Sequence, residues 1–111
     1  MQQRNKNDVQ LIGRLTKNPE LKYNGKQQPI AHFTLATNRQ YTSWDGSTQD
    51  EATFTPVQVF GKLAEEVKDK LFEKKHAFVI GRLTNESWTD QKTGQPRSAL
   101  RVTAESIIFL D

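Results

Sequence analysis

A chain of 111 residues with 34% hydrophobic residues has the size of one small domain and apolar material for one compact core. It has no cysteine, which excludes disulfides, thiolate metal sites and cysteine nucleophiles. A formal charge of +3 makes it mildly basic, and the excess is concentrated, with seven Lys/Arg against two acids in residues 1–39.

The start MQQRNKND offers no apolar segment that could act as a signal peptide, and no run approaches the roughly 18 apolar residues of a membrane span. A cytoplasmic protein without a membrane partner is expected. Val9, Leu11, Gly13 and Leu15 alternate with Gln10, Ile12, Arg14 and Thr16, the period of a half-buried strand. Asn18-Pro19 breaks that strand, and Leu21–Tyr23 is a short extended piece before a hairpin turn at Asn24-Gly25. Ile30–Asn38 is the second strand, with Phe33, Leu35 and Thr37 on one face and His32, Thr34 and Ala36 on the other. The polar segment Gln40–Ala52, centred on Asp45-Gly46, reads as a long hairpin loop, and Thr53–Phe60 as the third strand.

Gly61-Lys62 then leads into Leu63, Ala64, Val67 and Leu71, whose spacing gives a helix one apolar face, with His76 at its end. Ala77–Thr84 is a fourth strand, Asp90–Pro96 a turn, Arg97–Ala104 a fifth strand and Ile107–Leu110 a terminal apolar extension. Five strands with one helix between the third and fourth predict a mainly all-β domain over residues 1–111. Its architecture is the oligonucleotide/oligosaccharide-binding (OB) fold, a five-stranded Greek-key barrel. The pentapeptide IGRLT occurs at Ile12–Thr16 and again at Ile80–Thr84, on the two strands that close such a barrel. Gly13 and Gly81 are expected to supply the sharp bends that closure needs, with Leu15 and Leu83 inside and Arg14 and Arg82 outside.

Catalysis has little support. His32 and His76 show no metal-ligand spacing, and no nucleophile, phosphate-loop or paired-carboxylate motif is present. No catalytic residue, cofactor or metal is expected. The aromatic residues say more. Strand three places its valines inward, which leaves Phe54 and Phe60 outside with Pro56 and Gln58. Tyr41, Trp44 and Trp88 fall in polar stretches where burial offers them little. Bases of a single strand stack on exposed rings while cations follow the phosphates. The five aromatics therefore read as stacking residues, and Arg14, Arg39, Lys62, Arg82, Lys92 and Arg97 as phosphate contacts.

VQLIGRLTKNPELKYN, IAHFTLATNR, VQVFGKLAEEVKDKL and VIGRLTNESWTDQKTG, in that order, resemble the bacterial single-stranded DNA-binding protein (SSB) family over residues 7–110. The resemblance implies an OB barrel that binds and protects single-stranded DNA without sequence preference during replication, recombination and repair, usually as a homotetramer. It places the family's stacking aromatics on Tyr41, Phe54, Phe60 and Trp88 and a basic contact on Lys62; Trp44 has no counterpart. Pro56 stands where the family is commonly basic or polar, so a bulge or a strand edge is expected there. Lys74-Lys75-His76 stands where Lys-Gly is common, so that turn must form without glycine. Family members generally continue into a linker and an acidic tip that recruits replication and repair proteins, whereas this sequence ends at Asp111. A domain cut from a longer chain and a naturally short form both fit. Two other binding roles remain open, an OB module whose main partner is a protein and an RNA-binding one, since stacking does not read the 2′-hydroxyl.

Overall fold

The computed structural model describes residues 4–110; the polar start at Met1–Gln3 and the terminal Asp111 lie outside them. The elements are β1 (Val9–Leu15), β2 (Glu20–Tyr23), β3 (Pro29–Thr42), β4 (Thr48–Phe60), α1 (Lys62–Lys70), β5 (His76–Thr89) and β6 (Pro96–Phe109). Period-two patterning puts Gly13 and Leu15 of β1 in the core, packs Val9 and Leu11 against it and leaves Ile12 and Arg14 exposed. The strands form one sheet in the order β1-β5-β6-β4-β3-β2, and β1 also pairs with β3, which closes a five-stranded barrel. The short β2 adds to β3 alone. β4 and β6 are parallel at Val57↔Val102 and Gln58↔Thr103, and the other pairs are antiparallel. Leu35, Val57, Val59, Val79 and Val102 fill the barrel, and Ala64, Val67 and Leu71 of the helical segment join the same core. This is the expected OB barrel.

The two IGRLT segments lie on neighbouring strands, with β1 paired to β5 from Val9↔Gly81 to Arg14↔His76. At Gly13, β1 passes from β5 onto β3, and a Cβ there would collide with the Ala36 carbonyl oxygen. Opposite Gly81, β6 bulges at Glu105, and the Thr103 carbonyl takes the equivalent place. Each glycine thus admits a neighbouring backbone. Leu83 corrects the expectation made for it, because it is 43% exposed. Leu83 lies at the barrel's edge, opposite the last β6 residue that pairs with β4, and beyond it β5 continues with β6 as a two-stranded arm that leaves the core behind.

Gln40–Ala52 is not a long loop. β3 and β4 pair from Ile30↔Phe60 out to Thr42↔Thr48, and only Ser43–Ser47 forms the turn. A ribbon solvated on both faces needs no apolar alternation, so its sequence carried no strand signal; its ladder bonds still satisfy the backbone. For the same reason β5 reaches Thr89, and Trp88 lies on a strand rather than in a loop. Ile107–Phe109 belongs to β6, and His76 opens β5 instead of ending the helix. The Asn24-Gly25 hairpin forms with a longer turn, in which the Asn24 side chain accepts hydrogen bonds from the Lys26 and Gln28 N–H groups.

Both departures noted in the sequence resolve physically. The ladder between β3 and β4 runs through Thr34↔Pro56 without a bulge, and the β4–β6 pairing starts one residue later at Val57. Pro56 therefore sits beside a free strand edge, where its missing N–H removes no ladder bond. Lys74 takes the place of glycine by adopting φ 73°, held by its N–H bond to the Leu15 carbonyl at 2.9 Å. A side chain in that region is strained by about 1–2 kcal/mol. Lys74→Gly is therefore expected to raise stability by about 0.5–1 kcal/mol, after the extra chain entropy of glycine is subtracted. Denaturant titration checks this, and a loss of stability would show that Lys74 makes a compensating contact.

Candidate nucleic-acid interface

Strand register builds one continuous outer face. Val57 and Val59 of β4 are buried, so Phe54, Pro56, Gln58 and Phe60 point the other way. Their β3 partners Ala36, Thr34, His32 and Ile30 share that side. Through Gln58↔Thr103 the face crosses to β6, and through Trp88↔Arg97 it reaches the β5–β6 arm. On it Phe54 is 62% exposed, Phe60 39% and Trp88 45%. Three large rings are thus laid on a solvated sheet, where flat apolar partners can stack on them.

A hydrogen-bond chain fixes the middle of this face. The Gln58 side-chain amide donates to the Thr103 hydroxyl at 3.0 Å, which lies 2.7 Å from the Thr84 hydroxyl. Three strands are tied together where the parallel pairing occurs, which accounts for the burial of Thr103. His32 lies beside Gln58, and its pKa is lowered from 6.5 by burial first and by the Arg101 guanidinium second. At neutral pH it is an uncharged donor and acceptor in the face.

The cations proposed from the sequence divide into groups. Arg14 lines a recess with Ala36 and Phe54, and Lys92 lines another with Trp88. Lys62 opens α1 two residues after Phe60, and it makes no ion pair among the described residues. Arg97 stands opposite Trp88 but contacts Asp90 at 3.3 Å, and Arg82 contacts Glu105 at 2.9 Å. Those two guanidiniums are oriented by carboxylates that a ligand must compete with.

Tyr41 and Trp44 do not join the Phe54 row. Tyr41 pairs with Gln49, on the opposite face of the β3–β4 arm, where the Arg39 guanidinium lies 5.2 Å from its ring centre. Trp44 caps the tip of that arm, 97% exposed. The tip is shaped by Asp45, whose carboxylate accepts bonds from the Ser47 hydroxyl and N–H at 2.7 and 3.0 Å. Those bonds hold its pKa below the usual carboxylate value. Sequence reasoning put Gln58 beside Phe54 and Phe60 but missed Arg101, His32 and the links from Gln58 through Thr103 to Thr84 as parts of this face. Arg101 shares the parity of Arg97, and that signal could have placed it there.

The Single-strand binding protein family model matches residues 6–110. The chain is 44% identical over 105 residues to the single-stranded DNA-binding protein of Wolinella succinogenes and 40% identical over 105 residues to that of Helicobacter pylori. Each match covers 95% of this chain, which spans 64% of the first relative's length and 58% of the second's. Among solved structures, a Plasmodium falciparum SSB in complex with ssDNA has the same fold, with a TM-score of 0.89 at 22% identity over 100% of both chains. A deletion mutant of the Thermus aquaticus single-stranded DNA binding protein superposes with a TM-score of 0.85 at 31% identity, over 96% of this chain and 51% of that one. With the barrel, its closing glycines and the aromatic face all in place, the match across residues 6–110 is decisive, and the chain belongs to the single-strand binding protein family.

Proposed function

We propose that this protein binds single-stranded DNA without sequence preference, as a binding protein rather than an enzyme, and protects exposed strands in the cytoplasm during replication, recombination and repair. The observation that carries this reading is the single outer face on which Phe54, Phe60 and Trp88 are exposed with cations beside them. Every base has a π-face, so stacking tolerates any sequence, and phosphate contacts do not depend on the base. Duplex DNA hides its base faces and has nothing to offer the rings. Arg14, Lys62, Lys92 and Arg97 serve the phosphates nearest these rings. Tyr41, Trp44 and Arg39 extend the path along the β3–β4 arm, and Arg82 contributes from β5.

Titration of tryptophan fluorescence tests the reading, since Trp44 and Trp88 are the two tryptophans. Oligo-dT is expected to quench the emission strongly and duplex DNA much less. Equal affinity for the two would remove the stacking platform. Oligo-rU in the same titration reports on ribose.

The protein is further proposed to assemble with copies of itself, as a homotetramer. Supporting this, Ile12, Phe78 and Ile108 form one row across β1, β5 and β6, at the other end of β5 from Trp88. Ile12 is 59% and Ile108 49% exposed, and such a row favours burial against a protein surface. Sedimentation at micromolar concentration is expected to show a species of four chains, dissociated by Ile12→Asp. A monomer would contradict it.

A further inference from the structure

Between the stacking residues of β4 and the β5–β6 arm lies an open groove of about 480 Å³, lined by β2, β3, β4, β5 and β6 and by the β1–β2 link. Lys17, Lys22, His32 and Arg101 line it together with Glu20 and Glu86. Arg101 is central, on the same side of β6 as Arg97 and Thr103, and so between the Trp88 end of the face and the Gln58 row. Its Nε lies 2.7 Å from Glu86 Oε2, yet this buried nitrogen makes no hydrogen bond of acceptable geometry among the described residues. The two facts are compatible, because the carboxylate neutralises the guanidinium as a close charge while lying off the direction of the N–H. A buried donor without an acceptor calls for one, and a guanidinium fork fits a phosphate better than any other common group.

We propose that Arg101 is a phosphate-binding residue at the centre of the DNA-binding face, and that Glu86 occupies its guanidinium in the free protein until the phosphate backbone displaces it. The inference rests on the reading of this face as a single-stranded DNA site and adds to it a seat and a competitor. Glu86 plays two parts. It keeps Arg101 extended along the groove, and it opposes binding, because its carboxylate occupies the guanidinium that the arriving phosphate needs. Both side chains are partly exposed, at 26% for Arg101 and 39% for Glu86, so the pair is weak enough to exchange.

A double-mutant cycle with oligo-dT, read at several salt concentrations, tests this. Arg101→Gln is expected to weaken binding about fivefold and to make the slope of log K against log salt shallower by about 0.7, the value of one phosphate contact. Glu86→Gln, near-isosteric and partly exposed, is expected to tighten binding about threefold. A gain in affinity is not something a misfolded variant shows. In the Arg101→Gln background the Glu86→Gln gain is expected to vanish, because the carboxylate acts through that guanidinium. Asp8→Asn, which removes the same charge beside Lys6 at the start of the chain, is expected to change nothing.

An unchanged salt slope in Arg101→Gln would overturn the inference, and so would a Glu86→Gln gain that persists undiminished without Arg101. Wild-type protein that fails to bind oligo-dT at all would overturn the function itself. Wild-type binding with no coupling in the cycle would overturn only the role of this pair.

Discussion

Gly81→Ala is expected to destabilise the protein by about 3 kcal/mol, enough to lower Tm by on the order of 10–20 °C in a domain of this size. An added Cβ would lie 2.9 Å from the Thr103 carbonyl carbon and closer still to its oxygen, and 3.0 Å from Ala104 Cα. All three atoms are backbone, and none can rotate away. Relief requires β5 and β6 to separate at the bulge, beside the Gln58–Thr103–Thr84 chain, so the damage reaches the interface as well as the barrel. Gly25→Ala is the control: nothing lies within 4 Å of a Cβ there, and a change within about 0.5 kcal/mol is expected. Thermal unfolding of the two variants side by side separates a close-approach glycine from a replaceable one. Equal stability would mean that the repeated IGRLT segment has no part in closing the barrel.

Trp88→Ala and Lys62→Ala are expected to weaken binding to oligo-dT in different ways. Losing the Trp88 ring removes stacking of roughly 1–3 kcal/mol, which is about one to two decades in affinity. No phosphate contact goes with it, so the salt dependence stays as it was. Lys62 makes no ion pair among the described residues, so its charge is free to meet a phosphate. Lys62→Ala is expected to make the salt slope shallower by about 0.7. Measuring both variants across a salt series distinguishes the two contributions whatever the loss at any one concentration. A flattened slope in Trp88→Ala with an unaltered one in Lys62→Ala would reverse the assigned roles.

The barrel was legible where one side of a strand meets the core. Val57 and Val59 declare an inner face, and from them the outward position of Phe54 and Phe60 follows by parity. The IGRLT repeat pointed correctly to two glycines at the closing strands. The arms were not legible. Residues 40–42, 48–52 and 85–89 form strands solvated on both sides, so no apolar rhythm marks them, and Trp88 read as a loop residue. Leu83 misled for the related reason that parity continues along a strand after the core has ended. Arg101 was invisible in a different sense. Its proposed role rests on Glu86 on the neighbouring strand and on the groove it shares with Pro56 and His32, a juxtaposition that exists only once β5, β6, β4 and β3 are in register. Local pattern reports which face a residue takes, and tertiary pairing decides what it meets there.

The most direct test of the aromatic face is photo-crosslinking with an oligo-dT carrying 5-iodo-deoxyuridine, followed by mass-spectrometric mapping of the attached residues. Crosslinks are expected on Trp88, Phe54 and Phe60, the rings exposed along the face shared by β4 and the β5–β6 arm. Crosslinks confined to the Ile12–Phe78–Ile108 row or to α1, with none on those three rings, would contradict it.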